Sequence, residues 1–369
     1  MKWNKKCRFF NEKYACDTLS SEGYKSCYEC KFAREYSKKI LIIKLGAIGD
    51  VLRTTCILPA LRKKYGDDIL IYWMTNPESV DLFKHNLLVD KILPYNLENV
   101  LRVQQERFDI LFALEIDTPS TLLANLVKVN EKFGYFFEDG TTSCFNKGAE
   151  AYLETAFLHH VKLKNRKTYQ ELISEACELS LYYSKEKPMF NLTENHLNFG
   201  KEFLIKNNIL GEKIIGVNIG SADRWASKFW DNEKIKELIR RLKERKIIIL
   251  AGPNEIEKQD KLVNEMREEG IFLLKNNPKN TLNEFAAIVN ICDTIICGDT
   301  MILHLASALN KKTIALFFVT SPWELESYET VSKIISPLLE KYFYTNQYIE
   351  ELAESIDIEQ VLKEIGGEK

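Results

Sequence analysis

The chain has 369 residues, 45% hydrophobic and 28% charged, which suits two domains of ordinary globular composition. Its 51 basic and 53 acidic residues leave a net charge of −2, a balance that excludes the strong basic excess of a nucleic-acid binder. No apolar run approaches the length of a membrane span, and Met1-Lys2-Trp3-Asn4-Lys5-Lys6-Cys7 lacks the apolar core of a signal peptide, so a cytoplasmic protein is expected, with any membrane contact peripheral.

Residues 1–36 form a segment of their own, rich in Cys, aromatic and charged residues and without helical or strand period. Cys7, Cys16, Cys27 and Cys30 give the spacing C-x8-C-x10-C-x2-C. A C-x2-C pair places two thiolates on one metal, and four complete a tetrahedral site. Zinc or iron, including an iron–sulfur cluster, suits such ligands. The other account is four free thiols in an extension without a fold. Metal is the expectation, because a short segment lacking an apolar core needs a staple. The site would be closed and structural. The five remaining cysteines, Cys56, Cys144, Cys177, Cys292 and Cys297, lie in apolar patterns and read as small hydrophobes.

Lys39 to Leu45 reads as a buried parallel strand, and Gly46-Ala47-Ile48-Gly49-Asp50 as a tight turn into a helix bearing Val51, Leu58, Leu61 and Tyr65 on one face. Ile69 to Met74, Val89 to Leu93 and Asp109 to Leu114 follow as strands. Asp139-Gly140 marks a hairpin and Tyr169 to Leu181 a helix. Lys185-Glu186-Lys187-Pro188 is the candidate linker. The rhythm then restarts. Strands are expected at Lys213 to Ile219, Lys246 to Ala251, Asp293 to Cys297 and Thr313 to Phe318. Between them lie helices marked by Ile235, Leu238, Ile239 and Leu242, by a capping box of Thr281 and Glu284, and by Thr300 to Leu309. Strands alternating with helices imply two doubly wound parallel-sheet domains around a cleft, residues 37–187 and 188–340, with a helical segment at 341–369.

Such sheets bind ligands at the carboxyl ends of their strands, and four candidate turns lie there. Gly46 and Gly49 permit close backbone approach, while Asp50 reads equally as a helix N-cap or a general base. The G-x-G-x-x-G spacing of a dinucleotide site is missing. Gly220 and Ser221, with Lys228 a few residues on, suit a phosphate or diphosphate. Glu255 reads as a ribose ligand or as an acid placed favourably in a first helical turn. Asp299, Thr300 and His304 run from a strand end into a helix N-terminus, where either Asp299 or Thr300 would cap and His304 would be half-buried.

Three stretches in order carry a resemblance. They are Ile40 to Thr55 continuing to Arg62; Ile215 to Gly220 with Lys228-Phe229-Trp230; and Asp299-Thr300-x-x-x-His304-Leu305-Ala306-x-Ala308-Leu309 into Ile314-Ala315-Leu316-Phe317. Together they resemble the family-9 glycosyltransferases, the heptosyltransferases of bacterial surface polysaccharides, over roughly residues 39–340. The resemblance implies a GT-B fold and transfer with inversion at the anomeric carbon. It implies Asp50 as the base on the acceptor hydroxyl, and Lys228 with the Asp299–His304 turn as holders of the donor diphosphate and sugar. No catalytic metal is implied, and no Asp-x-Asp motif is present to hold one. The expected partners are a nucleotide-diphosphate sugar, ADP-heptose by default, and a glycan or lipid-linked acceptor. The alternatives are a non-catalytic sugar-nucleotide-binding scaffold and a GT-B-fold epimerase. The family usually has Gly where Met301 stands and favours Gly where Phe318 stands.

Overall fold

The computed structural model describes residues 2–10, 16–220 and 227–366. Two six-stranded sheets organise the chain. The first contains β1 (Lys39–Ile43), β2 (Leu70–Thr75), β3 (Lys91–Pro94), β4 (Ile110–Ala113), β5 (Glu131–Glu138) and β6 (Thr141–Cys144) in the order β3-β2-β1-β4-β5-β6. The second contains β7 (Ile214–Asn218), β8 (Lys246–Leu250), β9 (Leu274–Lys275), β10 (Thr294–Gly298), β11 (Lys312–Phe317) and β12 (Val331–Ile335) in the order β12-β11-β10-β7-β8-β9. Every pairing is parallel except β5 with β6. Strand order reverses between β1 and β4 in one sheet and between β7 and β10 in the other. Those are the switch points at which doubly wound sheets bind ligands.

The strands read clearly because both faces are covered. All five residues of β1 and of β7 are buried. Alternate side chains feed different cores: Ile40 and Ile42 face a cluster shared by both domains, while Leu41 and Ile43 face one private to the first. The shared cluster runs from Val51 and Leu52 through Ile302 and Leu303 to Ile288 and Val289, so the two domains meet through one apolar interior. Val217 and Ile249 feed the outer core of the second domain. The helices Glu350–Ala353 and Ile358–Gly366 cover it with Leu352, Ile358 and Val361.

Several local expectations meet their elements with small shifts. The hairpin turns at Asp139 and Gly140, both at positive φ (47° and 86°), as a two-residue turn of this hand requires. Thr281 and Glu284 form a reciprocal capping box. The helix expected over Tyr169 to Leu181 ends at Ala176. The single helix expected after Gly46 is two, Ile48–Thr54 and Ile57–Tyr65. Pro59 has no N–H to give to the carbonyl of Thr55, so the ladder breaks there. The chain crosses to the second domain between Ala176 and Thr193, a stretch that contains Lys185 to Pro188.

Gly134, within β5, has φ +91°, and a Cβ there would overlap the Ala113 carbonyl of β4. Gly134→Ala is therefore expected to destabilise the protein by about 3 kcal/mol or more, read as a lower urea midpoint at unchanged slope.

Candidate functional site

The helix Ile48–Thr54 leaves the carboxyl end of β1, and the helix Met301–Ala308 leaves that of β10. They meet across the domain boundary at Gly49. A Cβ on Gly49 would lie 3.1 Å from the His304 ring and 3.2 Å from Met301 Cα. Gly46 is also hemmed in by protein, since the Glu115 carboxylate fills the space a Cβ would take. Both glycines thus admit protein groups rather than open the backbone to solvent.

Asp50 is not the N-cap. That position belongs to Ala47, and Asp50 sits within the first turn. Its carboxylate instead meets the Arg53 guanidinium at 2.7 Å and remains 39% exposed, so it is anchored yet reachable. Arg53 in turn lies 3.6 Å from the centroid of the buried Tyr169 ring. Burial pushes the Asp50 carboxyl upward, but Arg53, then Lys44, His304 and Lys228, outweigh it and hold Asp50 below the ordinary carboxylate range. Asp50 is ionised at neutral pH.

Below it lies a second buried pair. Lys44, at the end of β1, meets Glu115, just past β4, at 2.7 Å and donates to the Leu114 carbonyl at 3.0 Å. Burial alone would lower Lys44, but Glu115 reverses that and raises it well above its usual value. Lys44, Arg53, Glu115 and Tyr169 were not among the sequence candidates. Arg53, three residues after Asp50 on one helix, carried a local signal; the Lys44–Glu115 pair joins residues distant in sequence and carried none.

On the opposite wall, Lys228 reaches the Asp299 turn. Its Nζ donates to the Asp299 carbonyl at 3.1 Å and lies 3.8 Å from the Asp299 carboxylate. The backbone fits just as closely: a Cβ on Gly298 would stand 2.5 Å from the Lys228 carbonyl. Burial works to raise Asp299, while Lys228, His304 and a hydrogen bond from Thr320 hold it low. Thr300 occupies the N-cap position without capping; its hydroxyl lies 3.4 Å from Asn218 Oδ1 at the end of β7. Lys228, Asp299, Thr300 and His304 therefore come together, on the side of the cleft facing Asp50. Gly220 lies close to Glu255, whose carboxylate accepts from the Gly252 N–H at 2.9 Å and closes that turn. Ser221 lies outside the described residues.

His304 is buried, not half-buried, and among the described residues its Nδ1 has no hydrogen-bond partner. Burial first, then Arg53, lowers its pKa to about 4, so the ring is neutral at pH 7. Phe318 is buried in the outer core of the second domain and does not enter the cleft.

The N-terminal cysteines line one small cavity together. Their side chains do not form a ready ligand group: among the described residues no three or more His, Cys, Asp or Glu side chains are close enough to hold an ion as they stand.

The family model for "Glycosyltransferase family 9 (heptosyltransferase)" matches residues 99–348. The chain belongs to glycosyltransferase family 9. It is 24% identical over 358 residues to lipopolysaccharide heptosyltransferase 1 of Campylobacter coli, covering 90% of this chain and 100% of that one. Its fold is similar to that of a family-9 glycosyl transferase from Veillonella parvula (TM-score 0.70, 17% identity, 89% of this chain and 96% of that one). It is also similar to the E. coli ADP-heptose lps heptosyltransferase II (TM-score 0.65, 15% identity, 89% and 97%). This family-9 chain is thus a glycosyltransferase with two α/β domains of GT-B type. No helix among its described residues is long and apolar enough to cross a membrane.

The low pKa of His304 sets a pH response. An unfolded histidine takes its proton near pH 6.5, whereas the folded ring resists to about 4. As pH falls between those values the unfolded state binds the extra proton, and stability drops by up to about 3 kcal/mol from this group. His304→Gln is expected to flatten that part of a urea-midpoint profile between pH 6.5 and 4. An unchanged slope would contradict the buried neutral ring.

Proposed function

We propose that this glycosyltransferase moves a heptose from ADP-heptose to a hydroxyl of a lipopolysaccharide-type, lipid-linked acceptor, with inversion and without a catalytic metal. Residues 37–187 present the acceptor and residues 188–340 hold the donor. The observation that carries the reading is the position of Asp50: ionised, partly exposed, fixed by Arg53, and facing the Lys228–Asp299–His304 cluster across the domain boundary. The relatives, a lipopolysaccharide heptosyltransferase and an ADP-heptose heptosyltransferase, support heptose as the sugar and ADP as the carrier.

In this reaction the Asp50 carboxylate takes the proton of the acceptor hydroxyl. The freed oxygen attacks the anomeric carbon from the face opposite the nucleotide. A new carbon–oxygen bond forms as the bond to the diphosphate breaks, and the electron pair leaves with ADP. Lys228 supplies positive charge where that negative charge grows, together with the N-terminus of the helix Met301–Ala308. Neutral His304 offers its ring nitrogen as a hydrogen-bonding group without adding charge. Glu255 and Gly220 stand near the β8 turn as the candidate nucleoside side of the donor site. A lipid-linked acceptor would bring the protein to the inner face of the membrane.

Two substitutions separate these roles. With ADP-heptose and a heptose-deficient lipopolysaccharide acceptor, Asp50→Asn is expected to reduce kcat by about 100-fold or more while donor affinity stays within a few-fold. Lys228→Ala should weaken donor binding by about tenfold and lower kcat as well. Near-normal turnover in Asp50→Asn would overturn the base. Absence of ADP release by the native protein with this pair would overturn the choice of substrates.

A second test uses pH. Removing Arg53 removes the charge that holds Asp50 low, so the acid limb of kcat/KM in Arg53→Met should move to higher pH, towards the ordinary carboxylate value. A limb that stays put would dissociate Arg53 from the titration of the base.

A further inference from the structure

The segment before β1 is built around its cysteines. Each of the four begins a turn with its own carbonyl. Phe10 N–H donates to Cys7 O at 2.9 Å and Ser20 N–H to Cys16 O at 3.0 Å. Cys30 N–H donates to Cys27 O at 3.3 Å and Ala33 N–H to Cys30 O at 3.2 Å. Long-range backbone contacts then bring these turns together. Cys27 N–H donates to Lys2 O at 2.9 Å, and Cys7 bridges Glu35 in antiparallel fashion. The result is one cavity of about 20 Å³ with all four cysteines in its lining, alongside Phe9, Phe10, Leu19 and Phe32. Room on that scale suits one water-sized sphere.

Among the described residues, apolar burial does little to hold this segment together. Its only buried hydrophobic residue among those described is Cys7, and the helix Asp17–Ser21 buries none. Trp3, Phe9, Tyr28 and Phe32 are exposed. No described residue before Tyr36 joins any hydrophobic cluster. A short chain of this kind is held by disulfides or metal rather than by burial, and the four thiols are unbonded to one another.

The geometry points to a closed mononuclear tetrathiolate site, formed by Cys7, Cys16, Cys27 and Cys30 around one divalent d-block ion of the zinc class. Four ligands in tetrahedral array at about 2.3 Å require sulfurs about 3.8 Å apart. The four side chains line one cavity, but as they stand no three of them form a ligand group. The site therefore requires the cysteine side chains to turn inward from the positions they hold. Four protein ligands leave no open position, and the role is structural. The location agrees. Arg8 ion-pairs with Asp90 at 2.6 Å and Ser37 donates to Asp68 at 2.9 Å. Both aspartates precede strands, so the segment caps the amino ends of the first sheet, opposite the end that carries Asp50.

The test uses the full chain, purified with reductant and without chelator. Elemental analysis should give about one equivalent of zinc, released by a thiol-specific mercurial, and cobalt exchange should give the intense visible absorption of a tetrahedral thiolate complex. Cys27→Ser and Cys7→Ser should each lower bound metal about tenfold or more and open residues 1–36 to protease, with the two large domains intact and sugar transfer retained. Cys144→Ser, outside the cavity, should keep its metal. If a variant fails to fold, the stoichiometry and cobalt spectrum of the native chain decide. Less than about a tenth of an equivalent with no cobalt spectrum would overturn the site. So would acid-labile sulfide, which marks a cluster, or disulfides among these four cysteines. These readouts do not depend on sugar transfer, so the metal site and the proposed reaction stand or fall separately.

Discussion

The contact at Gly49 is the constraint on which the cleft depends. Two helices, one from each domain, approach there until a Cβ on Gly49 would stand 3.1 Å from His304 and 3.2 Å from Met301. A larger side chain would have to displace backbone on one side or the other, because Met301 Cα cannot rotate away. Close approach also lets Val51 and Leu52 share one apolar cluster with Ile302 and Leu303, and that cluster continues through both domains. The same contact that joins the two interiors therefore sets the gap between Asp50 and the Lys228–Asp299 turn.

Charge in the cleft is arranged in pairs with different purposes. Lys44 and Glu115 are deeply placed and satisfy each other. Such a pair is costly to break, since the surviving charge would be buried alone. It fixes the floor, and Gly46 is the residue that leaves room for it. Arg53 and Asp50 form the partly exposed pair above. Lys228 and Asp299 form a looser one at 3.8 Å, with the shorter bond going to a backbone carbonyl. The neutral state of His304 fits this arrangement, because a charged ring would be packed against Arg53 and Lys228 in a buried space.

The parallel strands were legible because both their faces are covered, which leaves continuous apolar runs such as Ile40 to Ile43. The hairpin and the Thr281 capping box were legible because local backbone chemistry dictates them. What escaped was tertiary. β12, only two of whose five residues are buried, and the helix Glu194–Lys206 acquire their character from neighbours. Glu115 is an ordinary acid in sequence and becomes part of the site only because β4 lies beside β1. Asp50 was ambiguous for a local reason: an acid near a helix start serves as cap or as functional group. The geometry removes the cap, since Ala47 holds that position and the carboxylate turns to Arg53.

Met301 and Phe318 show why a departure from a family pattern must be judged in place. Phe318 follows β11 but turns into the outer core with Val217, Trp230 and Ile334, away from the cleft. Its bulk is taken up by packing. Met301 is different, since it begins the helix that faces Asp50. Its Cα and Cβ lie against Gly49, and it also packs on the shared apolar cluster. The Met301 side chain is thus accommodated by the glycine at 49. Small and large residues at the two positions are complementary halves of one contact, and a flexible thioether fills such a gap with little strain. Met301 lies within that domain contact, while Lys228, Asp299 and Thr300 stand together across from Asp50.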